Sequence, residues 1–233
     1  MSNFIYIMGK SASGKDTIYK RIKEQIDVKT YILYTTRPIR TGEQDGVDYH
    51  YVSDEQMLKF KQEGKVIESR TYQTVKGPWT YATIADEQLE QNGDILTVGT
   101  LESYNKIKEY YEDKKDTKLL PVYITIDEEE RRKRALEREK KQKNPNYEEV
   151  ERRFKADNID FSEENFKKAG IGQNETFENY DLDKCVESIV TYIQKEREKG
   201  LTLQEKYKVE GLKPVTLKQK PEKIETEERG ISD

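Results

Sequence analysis

The sequence predicts an α/β fold, a parallel sheet flanked by helices, and three observations predict it. Strand-like and helix-like segments alternate through most of the chain. The apolar stretch Phe4-Ile5-Tyr6-Ile7-Met8 runs directly into a glycine-cornered loop and then a helical pattern. Residues 119–126 form a continuous apolar run of the kind a central parallel strand carries. A length of 233 residues suffices for one sizeable α/β domain with insertions and falls short of two.

The elements follow in order. Residues 3–8 read as the first strand, 15–25 as the helix after the loop, and 30–36 as a second strand. From 37 to 82 the pattern changes to short tyrosine-rich strands around a helix at 54–63. Within it, 66–69 and 72–75 read as members of a small separate sheet, so the block is an insertion rather than a βα repeat. A helix at 84–91 returns to the core, followed by a strand at 95–98 and a helix over 101–112. After the 119–126 strand, Asp127 and Glu130 form a capping pair that opens a basic helix. Residues 140–147, with Asn144-Pro145-Asn146, break the pattern before a second charged helix at 147–158. Residues 175–179 supply a last short strand and 182–199 the closing helix. From Leu201 the chain turns rich in Lys and Glu and is broken by Pro214 and Pro221. Residues 201–233 therefore read as a charged tail, flexible or packed on as an appendage. No internal repeat is visible.

Composition narrows the function classes. With 33% apolar and 38% charged residues and a mean hydropathy of -1.05, the chain reads as soluble with a modest core. No apolar run approaches the roughly 20 residues of a membrane span, and the N-terminus lacks a signal-peptide pattern. A cytoplasmic protein without a membrane partner is the expectation. The single cysteine, Cys185, excludes an internal disulfide and reads as a small buried hydrophobe of the closing helix. The single histidine, His50, leaves no His-based triad or zinc site and reads as structural. A net charge of -4 gives no global attraction to nucleic acid. The cluster Arg131-Arg132-Lys133-Arg134 is interleaved with Glu128, Glu129, Glu130, Glu137 and Glu139. It reads as a solvated helix face, or as arginines that close on a nucleotide.

The loop is Gly9-Lys10-Ser11-Ala12-Ser13-Gly14-Lys15-Asp16-Thr17. Its glycines let the backbone wrap closely, so that successive N–H groups point at phosphate oxygens. The positive end of the next helix adds to the field, and Lys15 reaches the β- and γ-phosphates. Asp16 stands where the pattern places a Ser or Thr hydroxyl on Mg²⁺, with Thr17 one step later. Both are candidate metal ligands. A chance glycine loop before an ordinary helix is the alternative, and the strand–loop–helix context favours a nucleoside triphosphate site.

A second segment names more chemistry: Thr35-Thr36-Arg37-Pro38-Ile39-Arg40-Thr41-Gly42-Glu43-Gln44-Asp45-Gly46-Val47-Asp48-Tyr49. Two arginines three apart and a tyrosine nine further on can converge on one phosphate, since guanidinium forks bind it bidentately and a phenol adds a donor. This stretch closely resembles the T-T-R-x-x-R-x-G-E-x-x-G-x-D-Y signature of guanylate kinases. The resemblance covers roughly the first 195 residues. It implies a P-loop kinase core, a mixed-β monophosphate-binding insertion at about 37–82 and a helical lid at about 127–160, within a domain of residues 1–200. It also implies ATP-dependent phosphorylation of GMP or dGMP with Mg²⁺, small-molecule nucleotide partners, and room for a homodimer.

Carried over residue by residue, the resemblance implies that Arg37, Arg40, Tyr49 and Tyr81 hold the monophosphate, with Glu43 bracing the arginines. Glu68 and Thr83 would contact the base; a carboxylate suits guanine, which presents N1–H and N2–H together. Gly9, Lys10, Ser11, Ala12, Ser13, Gly14, Lys15, Asp16, Thr17 and Asn179 would bind ATP. Lys15 and the lid arginines Arg134, Arg138 and Arg153 would stabilise the migrating phosphoryl group. The spacing between Glu68 and Tyr81 is longer than the family's, and Trp79 within it reads as an added pocket wall or a packed surface aromatic.

The chain also departs from the pattern. Leu33 replaces a serine that contacts guanine, and Ile95-Leu96-Thr97-Val98-Gly99-Thr100 lacks the Asp-x-Asp of the corresponding strand. The lid continues as Glu139-Lys140-Lys141 in place of Arg-Gly-Thr. Asp16 is a natural replacement for the lost strand carboxylate at the metal. Two other readings stay open: a kinase of the same fold acting on another nucleotide or a sugar phosphate, and a catalytically silent binding module.

Overall fold

The computed structural model describes residues 2–74, 77–90, 92–114 and 117–200; the tail from Leu201 lies outside the described residues. The chain runs β1 (Ser2–Gly9), α1 (Lys15–Gln25), β2 (Lys29–Thr30), β3 (Tyr34–Thr35), β4 (His50–Tyr51), α2 (Asp54–Gln62), β5 (Val66–Thr74) and β6 (Gly77–Ile84). It continues through β7 (Ile95–Gly99), α3 (Leu101–Tyr111), β8 (Thr117–Thr125), α4 (Glu128–Lys140), α5 (Tyr147–Asp160), α6 (Glu163–Ala169), β9 (Thr176–Glu178) and α7 (Leu182–Gly200).

A parallel sheet of order β2-β7-β1-β8-β9 forms the core, and β1 lies at its centre between β7 and β8. Alternation along β1 divides its side chains between two apolar layers. Ile5 and Ile7 pack with Ile18 and Ile22 of α1 and Val186, Ile189 and Ile193 of α7. Phe4, Tyr6 and Met8 pack with Leu101, Tyr104 and Ile107 of α3 and Ala169 of α6. Cys185 lies buried in the first layer, its thiol pushed up to about 11 by burial. Because β1, β7, β8 and β9 are parallel, Gly9, Gly99, Asp127 and Asn179 all gather at the sheet's carboxyl edge, where ligands of open α/β sheets bind.

A second, mixed sheet of order β4-β3-β6-β5 stands apart, around Met57, Ala82 and Ile84. Three expectations change here. The predicted strand 30–36 is split between the two sheets, because Tyr31 turns into the core and its hydroxyl ties to both the N–H and the carbonyl of Ile84. The two strands predicted at 66–69 and 72–75 are one, β5, whose antiparallel pairing with β6 carries the longer spacing before Tyr81 as an extended hairpin. Of the predicted helix at 84–91, residue 91 lies outside the described residues and 84–90 are not helical: Ile84 ends β6, and the Asp86 carboxylate accepts from the Gln88 N–H and the Tyr34 hydroxyl. Gln88 then bonds the backbone of Ile32, so side-chain bonding outcompetes the helix. The helix α6, unforeseen, starts at Ser162, which accepts from the Asn165 N–H.

α4 and α5 form a hairpin over the loop, packed through Ala135, Val150 and Phe154 with Ala12 against them. The expected Asp127 cap is present, accepting from the Glu130 N–H. Among the described residues, no helix is long and apolar enough to cross a membrane.

Candidate active site

The loop after β1 is built for an anion. Ala12 and Gly14 both adopt left-handed backbone, φ 62° and 94°, which bends the chain back over the start of α1. No side chain caps α1, so its first-turn N–H groups keep their donors. A Cβ at Gly14 would stand 2.2 Å from Asn179 Nδ2, which itself donates to the Ser13 carbonyl at 2.7 Å. Asn179 thus clamps the loop's inner turn and lies within the same cavity wall.

That cavity, of about 450 Å³, collects Ser11, Gly14, Lys15, Asp16, Thr17 and Asn179 from the loop side and Arg134, Arg138 and Arg153 from the α4–α5 hairpin. The three arginines predicted from the lid therefore face the predicted phosphate loop. Arg134 donates from Nη2 to the Asn179 carbonyl and from Nε to Glu130. Arg153 donates to Glu149, whose carboxyl is held at about 2, chiefly by its hydrogen bond to Arg152. Neighbouring Arg131 and Arg132 are paired with Asp157, Glu128 and Glu151 and stack on Phe154.

One contact the sequence reading missed ties hairpin to loop. Asp157 of α5 accepts from the Ser11 N–H at 2.8 Å and from Ser11 Oγ at 3.1 Å. Arg131, almost wholly buried, sits between them, 3.4 Å from Asp157 and donating to the Ser11 carbonyl. Lys10, at the loop's outer turn, reaches Asn158.

Asp16 and Thr17 are exposed and border the same cavity as Lys15. No cluster of three or more His, Cys, Asp or Glu able to hold a metal occurs among the described residues. The pair fits Mg²⁺ nonetheless, since that ion takes one or two protein oxygens and completes its shell with water and phosphate. At the end of β7, the Tyr6 hydroxyl occupies the space: a Cβ on Gly99 would lie 1.8 Å from it. No carboxylate can be housed there without moving Tyr6.

The second basic group sits on the mixed sheet. Arg37 is 3% exposed; it donates from Nη2 to Glu43 at 2.9 Å and from Nη1 to the Pro38 carbonyl. Its buried Nε has no hydrogen-bond partner among the described residues. Its guanidinium lies 5.5 Å from the Tyr49 ring and 5.6 Å from the Tyr51 ring, and Tyr49 packs edge-on against Tyr81. Glu43 thus pairs with the Arg37 guanidinium but meets Arg40 only through its backbone N–H, the Arg40 guanidinium being exposed. Tyr51, not foreseen, donates its hydroxyl to Glu43 at 2.7 Å. The Arg37 hydrogen bond, against some burial and with help from Tyr51, holds the Glu43 carboxyl at about 2.

Glu68 and Thr83 face each other across β5 and β6, and Thr83 Oγ1 donates to Glu68 Oε1 at 3.1 Å. Arg70 and Tyr72 follow on the same face as Glu68, opposite Tyr81 and Trp79. Trp79, half-buried, thus shares the face of Tyr81 and Thr83. The Tyr49 phenol is raised mainly by burial, with Tyr81 beside it. Leu33 packs against the apolar layer of Phe4 and Tyr31. His50 stacks on Tyr34 at 4.7 Å.

Comparison with known proteins adds a family. The guanylate kinase family model matches residues 1–196. A guanylate kinase of Caldanaerobacter subterraneus subsp. tengcongensis is 29% identical over 222 residues, 94% of this chain and 96% of that one. A guanylate kinase of Legionella pneumophila is 26% identical over 122 residues, 51% of this chain and 57% of that one, so that match spans little more than half the relative's length. The crystal structure of guanylate kinase from Anaplasma phagocytophilum shares the fold, with a TM-score of 0.57 at 16% identity over 89% of this chain and 94% of that one.

Proposed function

This chain belongs to the guanylate kinase family, and we propose that it transfers the terminal phosphoryl group of ATP to a nucleoside monophosphate, GMP or dGMP. The observation that carries the reading is the single cavity in which Lys15 and Asp16 meet Arg134, Arg138 and Arg153. In this reading residues 37–82 form the acceptor-binding unit and 127–160 the lid of a domain spanning 1–200.

The uncapped N–H groups of α1 and Lys15 receive the β- and γ-phosphates, and Asn179 keeps the loop in shape. Asp16 and Thr17 would hold Mg²⁺, which supplies charge neutralisation across the phosphates when bound. Arg37, with its unspent Nε, receives the acceptor phosphate together with Arg40, Tyr49 and Tyr81. Glu68 and Thr83 meet the base. The lid arginines neutralise charge that develops on the migrating group and exclude water as the hairpin closes. No general base is required, since positioning and electrostatics carry this reaction.

A coupled ADP-release assay with Mg·ATP and GMP, dGMP, AMP, CMP, UMP and ribose phosphates, with Lys15→Ala as control, tests the proposal. Turnover confined to GMP and dGMP and lost in the control is the expected result. A second acceptor is favoured by one observation: Leu33 packs into apolar surroundings. Turnover with a non-guanine acceptor would establish that reading, and none at all with intact ATP binding would point to a silent module.

A further inference from the structure

We propose that Arg70 is a specificity-determining residue of the acceptor site, which with Glu68 reads the adjacent donor and acceptor atoms of a 6-oxopurine edge. The inference rests on the nucleoside-monophosphate reading above. The two residues are two apart on β5 and share the face that carries Tyr81 and Thr83 opposite. Glu68 is 5% exposed; one oxygen is fixed by the Thr83 hydroxyl, and the other lies 3.4 Å from Arg70 Nε. Arg70 is held from its far side, where Nη1 donates to Thr100 Oγ1 at 2.8 Å. Its Nε is buried and has no hydrogen-bond partner among the described residues. That nitrogen is held instead in the ion pair with Glu68, so Nη2, which makes no hydrogen bond among the described residues, is the donor left for an acceptor.

Side by side, carboxylate and guanidinium offer an accepting and a donating surface. Guanine presents the complement: N1–H and N2–H for the carboxylate, and the neighbouring O6 and N7 for an arginine. Adenine places a donor at position 6 and an acceptor at N1, which reverses the order. The net charge of the pair is zero, so a neutral base edge enters without leaving either ion alone in a dry pocket. The Tyr6 hydroxyl fills the place of any side chain at position 99. No motif spacing marks Arg70; it is found only by its position two residues beyond Glu68 on a strand.

Calorimetric binding without ATP separates the roles. In the wild type, 6-thio-GMP changes only the atom that faces Arg70, whereas IMP lacks only the amino group that faces Glu68. Expected are about tenfold weaker binding of 6-thio-GMP than of GMP, and a ten- to hundredfold loss of GMP affinity in Arg70→Met, of the order for a hydrogen bond to a charged group. Arg70→Met should also bind GMP and 6-thio-GMP alike while still separating GMP from IMP. Equal binding of GMP and 6-thio-GMP by the wild type overturns the proposal without any variant. So does undiminished or tighter GMP binding by Arg70→Met, which would make Arg70 a cover over Glu68. Failure of the wild type to bind any nucleoside monophosphate, with ATP binding intact, removes the parent reading and this one with it.

Discussion

Asp16 stands in the first turn of α1, where a negative charge is favoured by the helix but opposed by the phosphates the loop is shaped to hold. A cation between them resolves the conflict. Asp16→Ala should therefore reduce Mg²⁺-dependent turnover by at least tenfold while nucleotide binding in EDTA changes little; equal loss of both would remove Asp16 from the metal. Gly99 has the opposite constraint, since the Tyr6 hydroxyl has taken its side-chain space. Gly99→Asp, which restores a carboxylate in name, should not raise turnover above wild type. It should lower stability in urea unfolding by roughly 1–3 kcal/mol, the ordinary cost of overpacking. An unchanged midpoint would show that Tyr6 moves aside freely.

At the scale of elements, the α4–α5 hairpin and the loop around Arg37 each hang on one carboxylate. Asp157 joins α5 to the phosphate loop through Ser11 and neutralises the buried Arg131. Asp157→Ala leaves that buried guanidinium only the longer contact with Glu128 and the Ser11 carbonyl, and should cost about 3 kcal/mol in denaturant unfolding, within the range for breaking a buried pair. It should also speed proteolysis in residues 140–147, between α4 and α5. In the loop between β3 and β4, Glu43 gathers the Arg37 guanidinium, the Arg40 N–H and the Tyr51 hydroxyl. Its carboxyl lies at about 2 against an ordinary 4.5. A depressed carboxyl contributes stability that is complete above the unfolded value and fades as pH falls through the folded one. Tyrosine fluorescence of this region should thus change between pH 4.5 and 2, and Glu43→Gln should remove that dependence.

For the whole molecule, the governing fact is a five-stranded parallel sheet with apolar layers on both faces and its ligand-facing loops on one edge. The edge is only as rigid as the layers behind it. Ile189 of α7 is fully buried in the layer beneath α1 and does not line the cavity. Ile189→Ala should cost about 2–5 kcal/mol of stability by leaving a cavity, yet ATP affinity at 10 °C should stay within threefold of wild type. A parallel loss of affinity would mean that the phosphate loop depends on that layer directly.

By itself the sequence determined what is encoded within a dozen residues. The phosphate loop, its strand and α1, the Asp127 cap and the amphipathic α7 were legible because local periodicity and backbone chemistry specify them. Within the segment from Thr35 to Tyr49, Glu43 meets the Arg37 guanidinium inside one loop, whereas the Arg40 guanidinium stays exposed. Only the tertiary structure decided contacts between residues far apart in the chain. Tyr31 splits a predicted strand by bonding Ile84, and Gln88 abolishes a predicted helix by bonding Ile32. Asp157 reaches Ser11 across 146 residues, and Arg70 meets Thr100 across 30. Such pairings gain their energy from burial and hydrogen bonding in the assembled fold, and no one-dimensional spacing announces which partner a buried polar group will find.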